Sequence, residues 1–283
     1  MAIQYLKENS TGFGSTNWID GDGANTSGFA NSATLVIPSG AASVVNDMNQ
    51  STYSITYLKI AERFSGNIGQ STDALNTDAD DAATEYASNE GTESGRIEHY
   101  GSGTLYWGAS GRTASNVFQM GVGRTFGIHG TLSHLYMAQG TAQVESNCVV
   151  TKANLFGGTA IFNVKTTAGT TLNIYGGSHS TLRPFSTINV YGGNLVVNCQ
   201  LVDASNAATI NVYGGTVQFL AHGKTACTAV SLYGGFFDVT GLRYASTITT
   251  LTRYKGSQIS QRPMGAPLTI TNDIRKDPSM GAF

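Results

Sequence analysis

One phrase occurs four times in this chain and limits what it can fold into. Leu172-Asn-Ile-Tyr-Gly-Gly177 is followed by Ile188-Asn-Val-Tyr-Gly-Gly193, Ile210-Asn-Val-Tyr-Gly-Gly215 and Val230-Ser-Leu-Tyr-Gly-Gly235. Weaker copies stand on either side, at Leu155-Phe-Gly-Gly158 and Leu251-Thr-Arg-Tyr-Lys-Gly256. The aromatic residue of each copy recurs every 16 to 22 positions, at Phe156, Tyr175, Tyr191, Tyr213, Tyr233 and Tyr254. A period near 20 that tolerates insertions marks a solenoid, in which each repeat is one coil stacked on the last.

Each phrase reads as half a coil. Leu172 and Ile174, Ile188 and Val190, Ile210 and Val212, Val230 and Leu232 alternate with polar neighbours. That period of two predicts strands with one buried face. The alternation resumes after the glycine pair, at Leu195 and Val197, Val217 and Phe219, and Phe237 and Val239. Glycines between two strands permit a sharp bend with positive φ. Strand, bend, strand and a variable polar loop make one rung of a parallel β-helix, whose rungs stack about 4.8 Å apart. A dinucleotide-binding fold is excluded. No helical period separates the strands, and Tyr-Gly-Gly lacks the G-x-G-x-x-G spacing.

Composition agrees with short strands and turns. The 283 residues include 35 glycines and 5 prolines, and only 12% are charged. Hydrophobic residues at 40% suffice for a core. A net charge of −2 offers no attraction for nucleic acid or an anionic membrane surface. Cys148, Cys199 and Cys227 are far apart with no C-x-x-C, so they read as buried thiols rather than a zinc site or disulfide framework. No cofactor or metal motif is present. Met1-Ala-Ile-Gln-Tyr-Leu-Lys-Glu8 lacks a basic segment followed by an apolar run, and no apolar stretch is long enough to cross a membrane. The expectation is synthesis in a cytoplasm without general secretory export.

Four regions follow from the pattern. Residues 1–30 are rich in Gly, Asn and Ser and read as an extended N-terminal arm with aromatic anchors at Phe13, Trp18 and Phe29. Asp20-Gly-Asp22 within it resembles a calcium loop but lacks the bidentate Glu, so it reads as a turn. Residues 31–96 are β-rich, either a small domain or the first coils, with strands at 33–38 and 53–60. Asp73, Asp78, Asp80, Asp81 and Glu85 read as a solvated acidic loop. Residues 97–261 form the β-helix proper. After Gln261 the period stops, Pro263 and Pro267 break regular structure, and 262–283 read as a second arm carrying Ile274 and Arg275. The predicted fold is all-β: a right-handed parallel β-helix between extended arms.

The rod is poor in catalytic groups. Between residues 101 and 262 the acids are Glu145, Asp203 and Asp238, and the last two occupy different positions in their coils. Glycoside hydrolysis needs two carboxyl groups about 5–10 Å apart. Lys152, Lys165, Arg183, Lys224 and Arg243 share no register, and neither do His129, His134, His179 and His222. No enzyme activity is predicted.

The outward face is more regular. If Ile174, Val190, Val212 and Leu232 point inward, Tyr175, Tyr191, Tyr213 and Tyr233 point outward, one per rung. Asn173, Asn189, Asn211 and Ser231 form a second outward row. Such rows either brace the rod through ring stacking and amide bonding, or form a stripe for another subunit or a glycan.

A Gly-, Thr- and Asn-rich chain with a leading arm, Tyr-Gly-Gly rungs and a tail resembles the β-helical structural proteins of tailed bacteriophages. Among these it is most similar to capsid decoration, or cement, proteins. The resemblance covers residues 97–260 and implies a homotrimer in the virion that clamps the major capsid protein. On that reading the arms, through Phe13, Trp18, Phe29, Ile274 and Arg275, grip the shell. The alternative is a tail fibre or tailspike-type protein that binds host glycan on the Tyr stripe. Tailspikes often carry acidic catalytic pairs, and this sequence departs from that pattern, so the resemblance supplies no catalytic residue.

Overall fold

A computed structural model describes residues 3–14, 17–20, 22–24, 34–79, 95–163, 169–183, 185–199, 208–221, 226–242, 245–260 and 268–276. Among these residues every regular element is a β-strand, and nearly all pairing is parallel between successive turns of a β-solenoid. The chain divides into two compact units, Met1–Thr151 and Lys152–Phe283.

The second unit is built as the repeat predicts. Strand Thr171–Ile174 pairs in parallel with Thr187–Val190, that with Ala208–Val212, that with Ala226–Leu232, and that with Ser246–Tyr254. Corresponding residues fall into register, so Leu172, Ile188, Ile210, Val230 and Leu251 form one fully buried column. Ile174, Val190, Val212 and Leu232 form the next. The strands after the bend stack likewise, placing Leu195, Val217 and Phe237 in a third column. Only apolar side chains of similar volume fill such columns without voids, which is why the inward positions are so uniform.

Gly193 has φ of +74°, a left-handed conformation that other residues adopt at a cost. Gly192 has no such φ; instead a Cβ there would lie 2.7 Å from the carbonyl oxygen of Tyr175 in the preceding rung. Gly193 turns the chain and both glycines let the rungs approach, since a Cβ at Gly193 would lie 2.7 Å from the Gly177 carbonyl oxygen.

The first unit is a solenoid without a common phrase. Thr34–Ile37 pairs in parallel with Tyr57–Ile60, that with Arg96–His99, and that with Thr113–Gln119. Strands Thr34–Ile37 and Tyr57–Ile60 thus stack in parallel with the strands of residues 96–119.

The N-terminal arm requires correction. Strand Ile3–Leu6 pairs in parallel with Thr34–Ile37 and antiparallel with Trp18–Asp20. Phe13 and Trp18, expected as partner contacts, are fully buried, with rings edge to face at 5.1 Å. The Trp18 indole N–H donates to the Phe13 carbonyl at 3.1 Å. Burying two large rings and satisfying the one polar atom outweighs leaving them on an extended arm. The short antiparallel strand covers the edge of the first rung, as a solenoid end requires. Asp20 Oδ1 accepts the backbone N–H groups of Asp22 and Ala24, so that segment is a turn. At the other end, Leu268–Lys276 is a strand paired with Ser246–Tyr254 from Ser246↔Leu268 to Tyr254↔Lys276. Phe29 and the acidic residues Asp80, Asp81 and Glu85 lie outside the described residues.

Candidate functional site: an uncharged ladder face

The most distinctive surface lies on the second unit. Alternation places Thr171, Asn173 and Tyr175 outward on one rung, followed by Thr187, Asn189 and Tyr191, then Thr209, Asn211 and Tyr213. Ala229, Ser231 and Tyr233 continue the rows in register. None of these twelve positions carries a charge.

The aromatic row is a continuous stack. Phe156 and Tyr175 lie 4.9 Å apart between ring centroids, Tyr175 and Tyr191 4.9 Å, and Tyr191 and Tyr213 4.8 Å. Tyr213 and Tyr233 are 4.6 Å apart, as are Tyr233 and Tyr254. The spacing is that of the strands themselves, so stacking costs the backbone nothing. Lys276 Nζ lies 5.7 Å from the Tyr254 ring centroid and closes the stack with a cation. Phe156 and Tyr254 extend the stripe beyond the four tyrosines expected. Their weaker phrases carried the signal, because the step between aromatics is kept even where the glycine pair is not.

Beside the rings runs an amide ladder. Asn173 donates to Asn154 at 2.8 Å, Asn189 to Asn173 at 2.8 Å, and Asn211 to Asn189 at 2.9 Å. Each middle Asn thus gives one bond and receives one. The bracing expected of these rows is realised by both.

Stacking decides what the face can offer. Interior ring faces are covered by their neighbours, and what remains exposed, at 40–44% for Tyr175, Tyr191, Tyr213 and Tyr233, is ring edge and phenol. A sugar that binds an aromatic ring needs a free ring face, which the interior of this ladder lacks. The Tyr213 phenol is held above its ordinary pKa, first by burial and then by the neighbouring phenols of Tyr233, Tyr191 and Tyr254.

The remaining predicted residues do not converge. Ile274 is exposed on the outward face of the last strand, and Arg275 beside it is exposed too. Asp238 accepts the Thr240 backbone N–H at 2.9 Å and the Ser260 hydroxyl at 2.7 Å. Burial would raise its pKa, but these hydrogen bonds, with Gln218, hold it below the usual carboxylate value, unsuited to donating a proton. Glu145 accepts from the Gln143 amide at 2.6 Å. His179 is buried, receiving the Ala160 N–H on Nδ1 and approaching the Gly176 carbonyl with Nε2. Cys148 and Cys227 are buried, and burial pushes the Cys148 thiol up to about 12, with Glu145 adding to it. The Cys199 side chain, Asp203, His222, Lys165, Lys224 and Arg243 lie outside the described residues. Among the described residues no group of three or more His, Cys, Asp or Glu could hold a metal ion.

No protein-family model, curated protein or solved structure matches the chain.

Proposed function

We propose that the protein is a structural component of an assembled particle and associates with copies of itself through the Thr, Asn and Tyr face. The observation that carries this reading is the uncharged, in-register ladder. A row repeating every 4.6–4.9 Å is matched along its length only by a partner of the same period, and another copy of the rod has that period. Ring edges and hydroxyls without charge suit a packed interface core, from which charged residues are depleted.

The resemblance to phage decoration proteins supplies the context: a homotrimer on the virion shell in contact with the major capsid protein. Because Phe13 and Trp18 are core residues, the shell contact on this reading falls, among the described residues, to Ile274 and Arg275. A tail-type receptor protein using the Tyr stripe gains no support from a ladder whose interior ring faces are covered.

The test is sedimentation equilibrium of the wild type and of Tyr191→Ser with Tyr213→Ser. A trimeric wild type and a monomeric, folded variant are expected. A monomeric wild type, or a variant that remains trimeric, overturns the assignment of the face. Quantitative mass spectrometry of purified particles tests the location: hundreds of copies support a shell protein, whereas a few copies or none exclude it.

A further inference from the structure

The first unit carries a cleft that neither the ladder nor the assembly reading uses. Ser39, Lys59, Ala61, Glu62, Arg63 and Tyr100 line an open volume of about 550 Å3. This is within the range of sites that hold a single small molecule.

Its floor is fixed by the backbone. The turn after strand Tyr57–Ile60 closes through the Phe64 N–H to the Ala61 carbonyl at 3.1 Å, and the Ala61 N–H binds the Ile37 carbonyl of the preceding rung at 3.0 Å. The Tyr100 N–H reaches the Ile60 carbonyl of its neighbouring rung at 3.1 Å. A Cβ at Gly101 would fall 2.4 Å from the Phe64 carbonyl oxygen, so the two rungs meet with no slack below the cleft.

The lining combines three chemistries. Lys59 and Arg63 bring two cations, and neither forms an ion pair among the described residues. The Lys59 ammonium lies over the Tyr100 ring, 5.8 Å from its centroid, and the half-buried ring keeps part of its surface open to the cleft. Glu62 and Ser39 add a carboxylate and a hydroxyl. Two cations select an anion. The Glu62 carboxylate in the same lining disfavours a bare polyanion such as a phosphate chain, but it accepts hydroxyl donors. An aromatic wall favours the C–H face of a ring.

The geometry points to a binding site for a single acidic sugar unit. The sugar carboxylate lies between Lys59 and Arg63, ring hydroxyls donate to Glu62, and the pyranose ring sits against Tyr100. The site is independent of the ladder and stands whether or not the face above mediates assembly.

Saturation-transfer NMR and calorimetric titration with glucuronate, glucose and inorganic phosphate test the assignment. Glucuronate is expected to bind saturably with a dissociation constant of roughly 1 mM, as suits so small a ligand. Glucose and phosphate are each expected to bind at least about 10-fold more weakly, the loss of one charge contact or of the hydroxyl contacts. Lys59→Ala and Arg63→Ala should each lower glucuronate affinity about 10-fold, and Lys59→Arg should restore it. Tyr191→Ser with Tyr213→Ser should leave it unchanged. Absence of saturable glucuronate binding, phosphate binding tighter than glucuronate, or full affinity in the folded Arg63→Ala variant overturns the proposal.

Discussion

His99 is a buried residue whose surroundings fix its protonation. It is fully enclosed in the first unit, with Nδ1 3.0 Å from Gln119 Oε1 and 3.1 Å from Thr125 Oγ1. Thr125 also donates to Gln119 Oε1 at 2.6 Å, and the Gln119 amide donates to the Gly121 carbonyl at 2.7 Å. The Nδ1–H therefore points at an acceptor, and Nε2 is buried without a partner. A second proton would place an unpaired charge in the core, and burial accordingly lowers the pKa from 6.5 to about 4, with the Gln119 bond opposing. The sign of the pH effect follows. The unfolded imidazole takes up a proton near pH 6.5 and the folded one only near 4, so stability is full above 6.5 and falls as the pH drops through that window. The loss by pH 4 is roughly 3 kcal/mol from this group. His179, also lowered by burial, acts in the same direction. Asp238 adds its loss only below the ordinary carboxylate value of 3.8. Urea unfolding at pH 7.0 and 4.5 should show the drop in the wild type and a smaller one in His99→Asn. Equal drops would mean that His99 is not the titrating group. Sequence reasoning passed over this residue. A histidine in a strand carries no sign of facing inward when the polar partners that receive it come from later rungs.

At the level of the element, strands and bends of the second unit were legible because every rung states the same rule. Inward apolar pairs, outward polar pairs and a glycine bend recur until chance is excluded, and register then stacks like on like. The first unit was less legible because its bends differ, so no phrase recurs. The N-terminal segment misled because Gly and Asn dominate its composition, while its fold is decided by distant pairing of Ile3–Leu6 with Thr34–Ile37. The candidate face was half legible. The rows could be placed from alternation, but whether rings offer faces or edges depends on a spacing that only the stacked rungs provide. The amide row allows a direct measurement of what a ladder is worth. Asn189 donates to Asn173 and accepts from Asn211, so Asn189→Ala removes two bonds and leaves one donor and one acceptor unpaired in half-buried positions. The expected loss is about 2 kcal/mol. Asn154→Ala, at the end of the row, removes only the bond it accepts from Asn173 and should cost about half as much. Thermal or urea unfolding of the two variants checks the ratio; equal costs would deny that the amides act as a chain.

For the molecule as a whole, a solenoid must stop its own core from pairing with the next molecule. The first rung does so with the antiparallel strand Trp18–Asp20. The last described rungs of the second unit use charge. The buried column of Ile210, Val230 and Leu251 continues in register to Asp273, and the column of Val212 and Leu232 continues to Arg253 and Arg275. Arg253 and Asp273 then pair with each other, Nε donating to Oδ1 at 3.0 Å alongside a second contact from Nη2. An ion pair this exposed adds little stability of its own. Its value is that inward positions carrying charge make the end of the core a poor template for another rung. Replacing both, Arg253→Leu with Asp273→Leu, extends the apolar columns to the exposed strand Leu268–Lys276. The variant is expected to keep its fold and to associate end to end, seen as a concentration-dependent rise in mass by light scattering. That rise should persist in a background of Tyr191→Ser with Tyr213→Ser, because the joint lies at the last strand of the second unit and not on the ladder face. A variant whose mass matches that of the wild type at every concentration would show that charge at these positions does not guard the end.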